Sequence, residues 1–456
     1  MRVLIIDPEG SSGLDLAIRA GARSHQVKLA IKPTEKTRNI GRGFVEVTDD
    51  PRPHFGWAHL IVACDNNLYL QALDWHRQAN PKAAIIAASN EAAQWEINRE
   101  VGQKALQSCG IATIPSKTFN DYDTAIAHVK KTMQRYVSKP SGDGTADKAL
   151  SYVSSGPDDM VFMLERWKRS GKLGGSFILQ EFIPGVEHGI AGWFGPHGWN
   201  RGFEEDFEFK KLMNGDIGVA TGEQGNVMRY VARSKLATKV LLPLTEQLHK
   251  LKYVGDVSVN CIIDEKGNPW PLEFTMRLGW PAFNLQIELL GGEDPIEWLY
   301  ELAMGRDSRS ISLDTIAIGV VLSLPDYPYS HVTRKEVTGI PIYNLKPSLW
   351  KHVHACEMMI ANAPMECNGQ IVQVPMPCTA GDYVLTMTAL GTTIQEARER
   401  VYRRLSRLRI PNSPMWRTDI GNRLTYQLPK IQAHGYARDL LYSMQAPSSS
   451  RTQIAS

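Results

Sequence analysis

The chain has 456 residues, of which 43% are hydrophobic and 22% charged, and its formal net charge is +3. This length excludes a single hydrophobic core, and the composition is that of a folded globular protein rather than a disordered one. The nearly balanced charge gives no sign of an extended nucleic-acid surface.

Cysteine usage and hydropathy favour a cytoplasmic protein. The cysteines are scattered without a CxxC pair, which argues against a disulfide framework or a zinc site. No apolar run reaches the length of about 18 residues that a membrane helix needs, and the first apolar run is too short for the core of a secretion signal. We therefore expect a cytoplasmic location and no membrane partner.

The first hundred residues alternate between strand and helix patterns, which predicts a parallel sheet. The predicted elements are strands over Val3–Ile6, Val27–Ile31, His59–Ala63 and Ala83–Ala87, and helices over Leu14–Ala22 and Leu68–Arg77. Gly10-Ser11-Ser12-Gly13 follows the first strand and contains part of a phosphate-binding fingerprint. It is equally compatible with a phosphate cradle at the helix N-terminus and with a simple tight turn.

Further along, an amphipathic pattern over Ala92–Ser108 predicts one continuous helix, ended by Cys109-Gly110. A polar, glycine-containing loop over Ser138–Lys148 follows a strand pattern. Another strand is predicted over Ser176–Phe182, just before the turn at Pro184-Gly185.

The last part of the chain has a different texture. From Ile316 to Arg423 the pattern predicts short strands and turns, with one helix over Thr393–Leu408. The tail around Ser448–Ser450 is polar and is expected to be disordered.

The most informative stretch runs from Trp270 to Pro281 and reads as a short strand followed by a glycine-containing turn. Because side chains alternate along a strand, Glu273, Thr275 and Arg277 are expected on one face. A carboxylate that can hold a divalent cation would then lie beside an arginine that can hold a phosphate, as phosphoryl transfer requires. A surface ion pair is at least as common an explanation of such a pattern.

Three other segments offer groups for a nucleoside triphosphate. Arg99 lies on the predicted helix, and Lys139 precedes the glycine loop, whose N–H groups could close over phosphates. The extended segment from Gln180 to Glu187 suits an adenine edge and a ribose. Each residue alone has an ordinary surface explanation, so their order along the chain carries the hypothesis.

That order resembles the ATP-grasp superfamily and, more narrowly, the glycinamide ribonucleotide synthetases, over roughly residues 1–425. The resemblance rests on matching motifs in chain order: Gln94–Arg99, Glu208–Lys211, Gly215–Gly218, Thr221-Gly222, Leu324–Pro328, His354-Ala355, Thr379–Leu385, Thr388–Gly391, Glu396-Ala397, Tyr402 and Arg417–Gly421.

The resemblance implies an α/β (α+β) ATP-grasp fold with an N-terminal parallel-sheet domain and a mostly β C-terminal domain. The implied divisions are residues 1–105, 106–190, 191–315, 316–430 and a polar tail over 431–456. It also implies an ATP-dependent ligase that joins a small-molecule carboxylate, such as an amino acid, to an amine through an acyl phosphate. The cofactors would be ATP and Mg²⁺ or Mn²⁺, and the protein would be a monomer or a homodimer.

Residue roles follow from the same resemblance. ATP is expected to contact Arg99, Lys139, Glu181, Phe182, Glu187 and Lys210, and the metal to contact Glu273, Thr275 and Asn260. Arg277 and Lys139 are the expected catalytic residues, with Arg277 stabilising the acyl phosphate. The substrates are expected near Ser12, Gly13, Trp280 and Arg417.

Several positions depart from the family pattern. Thr275 stands where the family has asparagine, and a hydroxyl is a poorer magnesium ligand than an amide oxygen. Asn260 replaces an acidic ligand of other ATP-grasp enzymes, and a strand-edge asparagine without a metal role is the commoner case. Trp280-Pro281-Ala282 replaces Asp-Pro-Glu, which indicates either a different substrate or a packing role.

The N-terminal turn also lacks the arginine and histidine that the family places near a sugar phosphate. The sequence therefore leaves three hypotheses. The chain is a phosphoribosylamine–glycine ligase, a related ligase that joins an amino acid to another amine such as a modified nucleotide or nucleobase, or a non-catalytic nucleotide-binding descendant.

Overall fold

The computed structural model describes residues 1–10, 12–66, 68–141, 151–171, 176–306, 311, 314–329 and 334–444. The predicted glycine loop beyond Ser141 and the polar tail at Ser448–Ser450 lie outside these ranges.

The N-terminal region forms the parallel sheet that the alternating pattern predicts. The strands are β1 (Arg2–Ile6), β2 (Gln26–Ala30), β3 (Glu46–Thr48), β4 (Leu60–Ala63) and β5 (Ala84–Ile86), in the order β3-β2-β1-β4-β5. Helices α1 (Leu14–Ala22) and α2 (Leu70–Ala79) connect them. The chain leaves β1 towards one edge and β4 towards the other, so the crevice at their carboxyl ends is the expected ligand position of such a sheet.

The predicted helix over Ala92–Ser108 is wrong as one element, because the chain forms α3 (Asn90–Ile97) and α4 (Arg99–Ser108). Asn98 breaks the helix with extended backbone angles, and its side chain accepts hydrogen bonds from the backbone N–H of Glu100 and Val101. An N-cap of this kind satisfies donors that the start of a helix leaves open. The break places Arg99 in the first turn of α4.

A second, antiparallel sheet carries the predicted phosphate-binding lysine. Its strands are β6 (Ser116–Phe119), β7 (Tyr136–Ser141), β8 (Tyr152–Val153) and β9 (Ser176–Glu181), in the order β6-β9-β7-β8. Helices α5 (Tyr122–Thr132) and α6 (Pro157–Arg169) pack on it. Phe119, Phe177 and Trp167 lie in the separate core that this layer encloses.

The large central sheet carries most of the candidate site. Its order is β17-β16-β10-β12-β15-β18-β22-β19, with β11 paired to β10. The strands are β10 (Gly185–Gly195), β11 (Gly198–Trp199), β12 (Phe203–Glu208), β15 (Gly225–Val231), β16 (Gly255–Asp264), β17 (Pro269–Thr275), β18 (Ile316–Ser323), β19 (Val353–Ala355) and β22 (Tyr383–Gly391). The sheet is continuous across residue 316, since β15 pairs with β18.

The remaining elements flank this sheet. Two hairpins are formed by β13 (Lys211–Met213) with β14 (Ile217–Ala220), and by β20 (Met358–Cys367) with β21 (Gln370–Thr379). The helices are α7 (Lys235–Val240), α8 (Thr245–Lys250), α9 (Ala282–Leu289), α10 (Pro295–Ala303), α11 (Arg334–Val337), α12 (Pro347–Trp350), α13 (Ile394–Leu405) and α14 (Leu424–Gln432).

In the C-terminal region the predicted helix Thr393–Leu408 corresponds to α13, for which Thr393 is the N-cap. The prediction of only short strands there is wrong for β20 and β21, which have 10 residues each. They pair along their whole length, and only 5 of their 20 residues are buried. An exposed hairpin lacks the buried apolar periodicity from which strand length is predicted.

Candidate functional site

A row of polar side chains crosses the large sheet at β17, β16, β10 and β12. Glu273 lies opposite Asn260, and Gly189 lies opposite both Asn260 and Asp206. A Cβ atom at Gly189 would lie 1.7 Å from Asp206 Oδ1 and 2.9 Å from Asn260 Oδ1. Glycine is therefore required at this position, because the polar side chains of the neighbouring strands fill the space above it.

Lys210 lies at the centre of the candidate site. Its Nζ is 2.8 Å from Glu187 Oε1, 2.9 Å from Glu208 Oε2 and 3.7 Å from Glu273 Oε1. Burial acts to lower the pKa of this lysine, but the carboxylates, with Glu187 first, raise it well above its ordinary value. Lys210 therefore carries a permanent positive charge.

Arg99 and Lys139 approach Glu273 from other elements. Arg99 Nη1 donates to Glu273 Oε2 at 2.7 Å. Burial acts to raise the pKa of Glu273, but Arg99, Lys210 and Lys139 together hold it far below its ordinary value. This carboxylate is therefore ionised and is shared among three cations that come from α4, β7 and the chain after β12.

Lys139 has a pKa unlike that of a solvated lysine. Burial, followed by the nearby charge of Arg99, lowers the pKa of Lys139 to about 8, while Glu273 partly opposes the shift. The charge of Lys139 therefore changes with pH near neutrality, and an anion bound beside it would favour the protonated form.

Arg277 is oriented by a carboxylate on α3. Its Nε donates to Glu96 Oε1 at 3.0 Å, and its Nη1 donates to the carbonyl of Leu278. Glu96 Oε2 also accepts from the backbone N–H of Met276 at 2.8 Å and from the side-chain amide of Asn66 at 2.9 Å. The guanidinium is thus fixed between the N-terminal sheet and the end of β17.

The predicted substrate residues Ser12 and Gly13 donate their backbone N–H groups to the side chain of Asp7, at 2.8 and 2.6 Å. Gly10 N–H makes the third such bond, at 3.1 Å. Burial raises the pKa of Asp7, and these backbone bonds act to lower it. A carboxylate of the chain itself thus occupies the donors that a phosphate cradle would use, which favours the tight-turn explanation of this segment.

The predicted adenine segment follows β9. The backbone N–H of Glu181 donates to the carbonyl of Pro115 at 2.9 Å, and that of Phe182 donates to the carbonyl of Arg135 at 3.0 Å. The Arg135 guanidinium lies 3.4 Å from the centre of the Phe182 ring. A base edge that used either N–H would have to displace these bonds.

The predicted metal ligands provide oxygen atoms of the kind that Mg²⁺ prefers. The side-chain oxygen of Asn260 is buried without a hydrogen-bond partner among the described residues, and its Nδ2 donates to Glu208 Oε2 at 2.8 Å. Thr275 lies farther along β17, opposite Ser258. Within the described ranges, no group of three or more His, Cys, Asp or Glu side chains is arranged to hold a metal ion. The candidate metal ligands are therefore carboxylate oxygens together with the amide oxygen of Asn260.

Trp280 belongs to an aromatic group beyond Arg277. Its ring centroid is 5.6 Å from that of Tyr383, and the ring centroids of Tyr327 and Tyr383 are 5.3 Å apart. These rings pack with Val321 of β18. Trp280 therefore has the packing role that the sequence left open. Its indole is only partly buried, so part of the ring is also accessible to a ligand.

Known proteins resemble this chain in sequence. Residues 317–423 match the family model described as phosphoribosylglycinamide synthetase, C domain. The phosphoribosylamine–glycine ligase of Salmonella typhimurium is 25% identical over 372 residues, which cover 79% of this chain and 82% of that protein. The Ralstonia nicotianae enzyme is 25% identical over 353 residues, 74% of this chain and 78% of its own.

Solved structures give the same relation for the fold. The phosphoribosylamine–glycine ligase of Thermotoga maritima superposes with a TM-score of 0.67 at 19% identity, covering 92% of this chain and 100% of that chain. An ADP complex of N5-carboxyaminoimidazole ribonucleotide synthetase gives a TM-score of 0.56 at 12% identity, covering 89% and 96%. The chain has the ATP-grasp fold and resembles the phosphoribosylamine–glycine ligases.

In this ATP-grasp fold, the candidate site lies between the small antiparallel sheet with Lys139 and the central sheet with Glu273. The structure brings together Arg99, Lys139, Glu187, Lys210 and Glu273. Within the parts of the chain that the structure describes, no helix is long and apolar enough to cross a membrane.

Arg417 has a different setting from the other predicted substrate residues. Its side chain is 1% exposed and donates to Asp216, Asp419 and the carbonyl of Lys211. Its hydrogen bonds therefore connect the segment between α13 and α14 to the β13–β14 hairpin beside Lys210. In this structure Arg417 fixes the position of a site element and has little surface for a substrate.

Sequence reasoning assigned no role to Glu96 or Glu208, although both lie in quoted motifs. Glu208 contacts Lys210 and Asn260, and Glu96 contacts Arg277. The available signal was their position next to assigned residues, since Glu208 precedes Lys210 on the same segment. Asp7 was likewise missed, although an aspartate directly after a strand and before a glycine turn is a common acceptor for turn amides.

Proposed function

We propose that the protein is an ATP-dependent carboxylate–amine ligase that works through an acyl phosphate. The observation that carries this proposal is the convergence of Arg99, Lys139 and Lys210 on Glu273 between the two sheets of the fold. Three cations around one ionised carboxylate provide both charge compensation for phosphates and an anionic position for a metal ion.

The residue roles are those that the resemblance to the phosphoribosylamine–glycine ligases implies. Lys139 and Arg99 bind the phosphates, and Glu187, at the start of β10, binds the ribose. Arg277, fixed by Glu96, stabilises the negative charge that develops when a substrate carboxylate attacks the γ-phosphate. An amine then attacks the acyl carbon, and phosphate leaves. Exclusion of water from the site during the reaction would protect the acyl phosphate from hydrolysis.

A magnesium ion fits the donors present. Glu273, Glu208 and the unpartnered oxygen of Asn260 would hold it, and when bound it would neutralise charge on the β- and γ-phosphates. Thr275 adds at most a hydroxyl or a water-mediated contact.

The amine is the part of the reaction for which we expect this chain to differ from its relatives. Those relatives are phosphoribosylamine–glycine ligases by name, but here Asp7 occupies the turn amides of Ser12 and Gly13. A phosphate bound there would have to compete for these donors with the side chain of Asp7, which already accepts their hydrogen bonds. This observation favours a second candidate function, in which the amine carries no phosphate at this turn.

The proposal is tested by measuring ADP release from Mg-ATP with panels of amino acids and amines, and by identifying new amides by mass spectrometry. Glu273→Gln, which keeps the shape and removes the charge, is expected to abolish ADP release while the fold is retained. Absence of ADP release with every substrate pair would contradict the ligase function and favour a non-catalytic descendant. Full activity of Glu273→Gln would contradict the metal assignment alone.

A further inference from the structure

The carboxyl ends of β1 and β4 border the crevice where the N-terminal sheet is expected to hold a ligand. On the β1 side, Asp7 already accepts from the turn N–H groups, and a Cβ atom at Gly13 would lie only 3.2 Å from Cys64 Sγ. On the β4 side, Asn66 follows the strand by three residues and is 5% exposed. Asn66 is therefore a buried polar side chain on the β4 border of this crevice.

Two hydrogen bonds fix the orientation of the Asn66 amide. Its Nδ2 donates to Glu96 Oε2 at 2.9 Å and to the backbone carbonyl of Met276 at 3.2 Å. The reversed amide would bring Oδ1 against a carboxylate oxygen and a carbonyl oxygen, so the nitrogen has to face these acceptors. Oδ1 then points away from them, and it is buried without a hydrogen-bond partner among the described residues. A buried acceptor without a partner is costly, so this oxygen requires a donor from a ligand or from water.

The same contacts place Asn66 beside Arg277. Arg277 Nε donates to Glu96 Oε1 at 3.0 Å, while Asn66 donates to the other oxygen of that carboxylate. Asn66 also contacts the carbonyl of Met276, the residue directly before Arg277, and the N–H of Met276 donates to Glu96 Oε2 at 2.8 Å. Glu96 and Arg277 compensate each other's charge. A donor for Asn66 Oδ1 therefore does not need to be charged.

The chemistry of this acceptor selects the group that it would bind. In the proposed reaction Arg277 stabilises the acyl phosphate, so the nitrogen that attacks the acyl carbon has to lie beside this guanidinium. A neutral amide oxygen accepts an N–H without favouring the ammonium form, whereas a carboxylate would favour ammonium, which has no lone pair for the attack. A primary amine has two N–H groups, so it can donate one to Oδ1 and lose the other. A secondary amine has only one, which it loses in the reaction.

We propose that Asn66 Oδ1 binds the attacking nitrogen of the amine substrate, and that this substrate is a primary amine. One N–H of the amine donates to Oδ1, and the nitrogen lone pair forms the C–N bond with the acyl carbon. The C–O bond to phosphate breaks, phosphate leaves with the electron pair, and the second N–H loses its proton to the departing phosphate. The N–H bound by Asn66 remains in the amide product. This assignment rests on the proposed ligase function and deepens it at the amine.

The test uses hydroxylamine and N-methylhydroxylamine as amine probes, because their nitrogens carry two N–H groups and one N–H group respectively. The full-length protein is given Mg-ATP and whichever amino acid releases most ADP in a panel of amino acids. The carboxylate oxygen attacks the γ-phosphorus and ADP leaves, after which the probe nitrogen displaces phosphate. Both hydroxamates are quantified by mass spectrometry. The unmodified protein is expected to have at least a tenfold higher kcat/KM for hydroxylamine than for N-methylhydroxylamine.

Variants of Asn66 separate its acceptor from its structural contacts. Asn66→Ala is expected to reduce the preference for hydroxylamine about fivefold, because the acceptor for the retained N–H is lost, while KM for ATP stays unchanged. Asn66→Asp keeps an acceptor oxygen at the same position and is expected to retain the preference. Asn80→Ala, at an exposed asparagine that ends α2, is the matched control and should leave kcat/KM for both probes unchanged. Melting temperatures show whether each variant folds, and Asn66→Leu, which is close in volume, replaces Asn66→Ala if the latter does not.

A purely structural role of Asn66, exerted through Glu96 and Arg277, would lower kcat/KM for both probes by the same factor and would overturn the proposal. Equal kcat/KM for the two probes in the unmodified protein would overturn it as well. In both cases hydroxamate is still formed, so the ligase function remains intact. If no amino acid releases ADP with either probe or with a wider panel of amines, the proposed function itself fails.

Discussion

ATP affinity should depend on pH through Lys139. The pKa of this lysine is lowered to about 8, so about 90% of it is protonated at pH 7 and about 10% at pH 9. Only the protonated form attracts the phosphates. If binding of Mg-ATP requires that form, the dissociation constant rises about tenfold between pH 7 and pH 9, equivalent to about 1.4 kcal/mol.

The assay is a titration of Mg-ATP by calorimetry at several pH values, which needs no knowledge of the other substrates. Lys139→Arg is the matched control, because an arginine stays charged over this range and should bind with little pH dependence. Lys139→Met should bind weakly at every pH. A flat profile for the unmodified protein, or the same slope in Lys139→Arg, would refute the reasoning.

Three further perturbations probe the structure around the site. Gly189→Ala should lower stability by several kcal/mol and abolish ADP release, because its Cβ would overlap Asp206 Oδ1. The control is Gly21→Ala in α1, where the added Cβ meets nothing within 4 Å, so the melting temperature should stay equal or rise. Asn98→Ala removes the N-cap of α4 and should cost about 1 kcal/mol in urea unfolding; no change would show that the cap is dispensable. Burial raises the pKa of Asp206 to about 8, so the folded state keeps a proton that the unfolded state loses above about pH 4. The free energy of unfolding should therefore fall as pH rises from about 6.5 to about 8. Asp206→Asn should reduce that slope in thermal melts, and an unchanged slope would exclude Asp206 as its source.

Local patterns predicted four of the five strands of the N-terminal sheet, because those four strands are continuous apolar runs. Helix α1 has the predicted bounds, and β1 differs by one residue. The break at Asn98 was missed, since one asparagine in an otherwise amphipathic pattern costs little as a helix residue and acts here as a cap.

The sequence predicted which residues belong to the candidate site better than it predicted the contacts between them. Arg99, Lys139, Glu187 and Glu273 could be selected from motifs, and the structure places them together. The role of Glu96 could not be predicted, because Glu96 and Arg277 are separated by 181 positions in the chain and meet only after the N-terminal sheet packs against β17. Partners of this kind depend on tertiary packing, which no local pattern records.

The role of Asp7 was also not predicted, although its hydrogen-bond partners are close to it in the chain. The segment Gly10–Gly13 was compatible with a phosphate cradle and with a turn, and residue types alone could not decide between them. The hydrogen bonds to Asp7 favour the turn, because they use three N–H groups that an anion would need. The inference that the amine lacks a phosphate there depends on that geometry.

The surface ion-pair and active-site explanations of Glu273 are compatible if its cations exchange partners when ATP binds. Lys210 and Arg99 now neutralise carboxylates, including Glu273 itself. Phosphates of ATP would compete for these cations, and each cation that turns to a phosphate leaves a carboxylate without its partner. A divalent ion that arrived with ATP would supply the missing positive charge, and this exchange of partners would keep the charges of the site balanced. The ion pairs thus hold the site together without ATP, and ATP binding without a divalent ion should be weak for the same electrostatic reason.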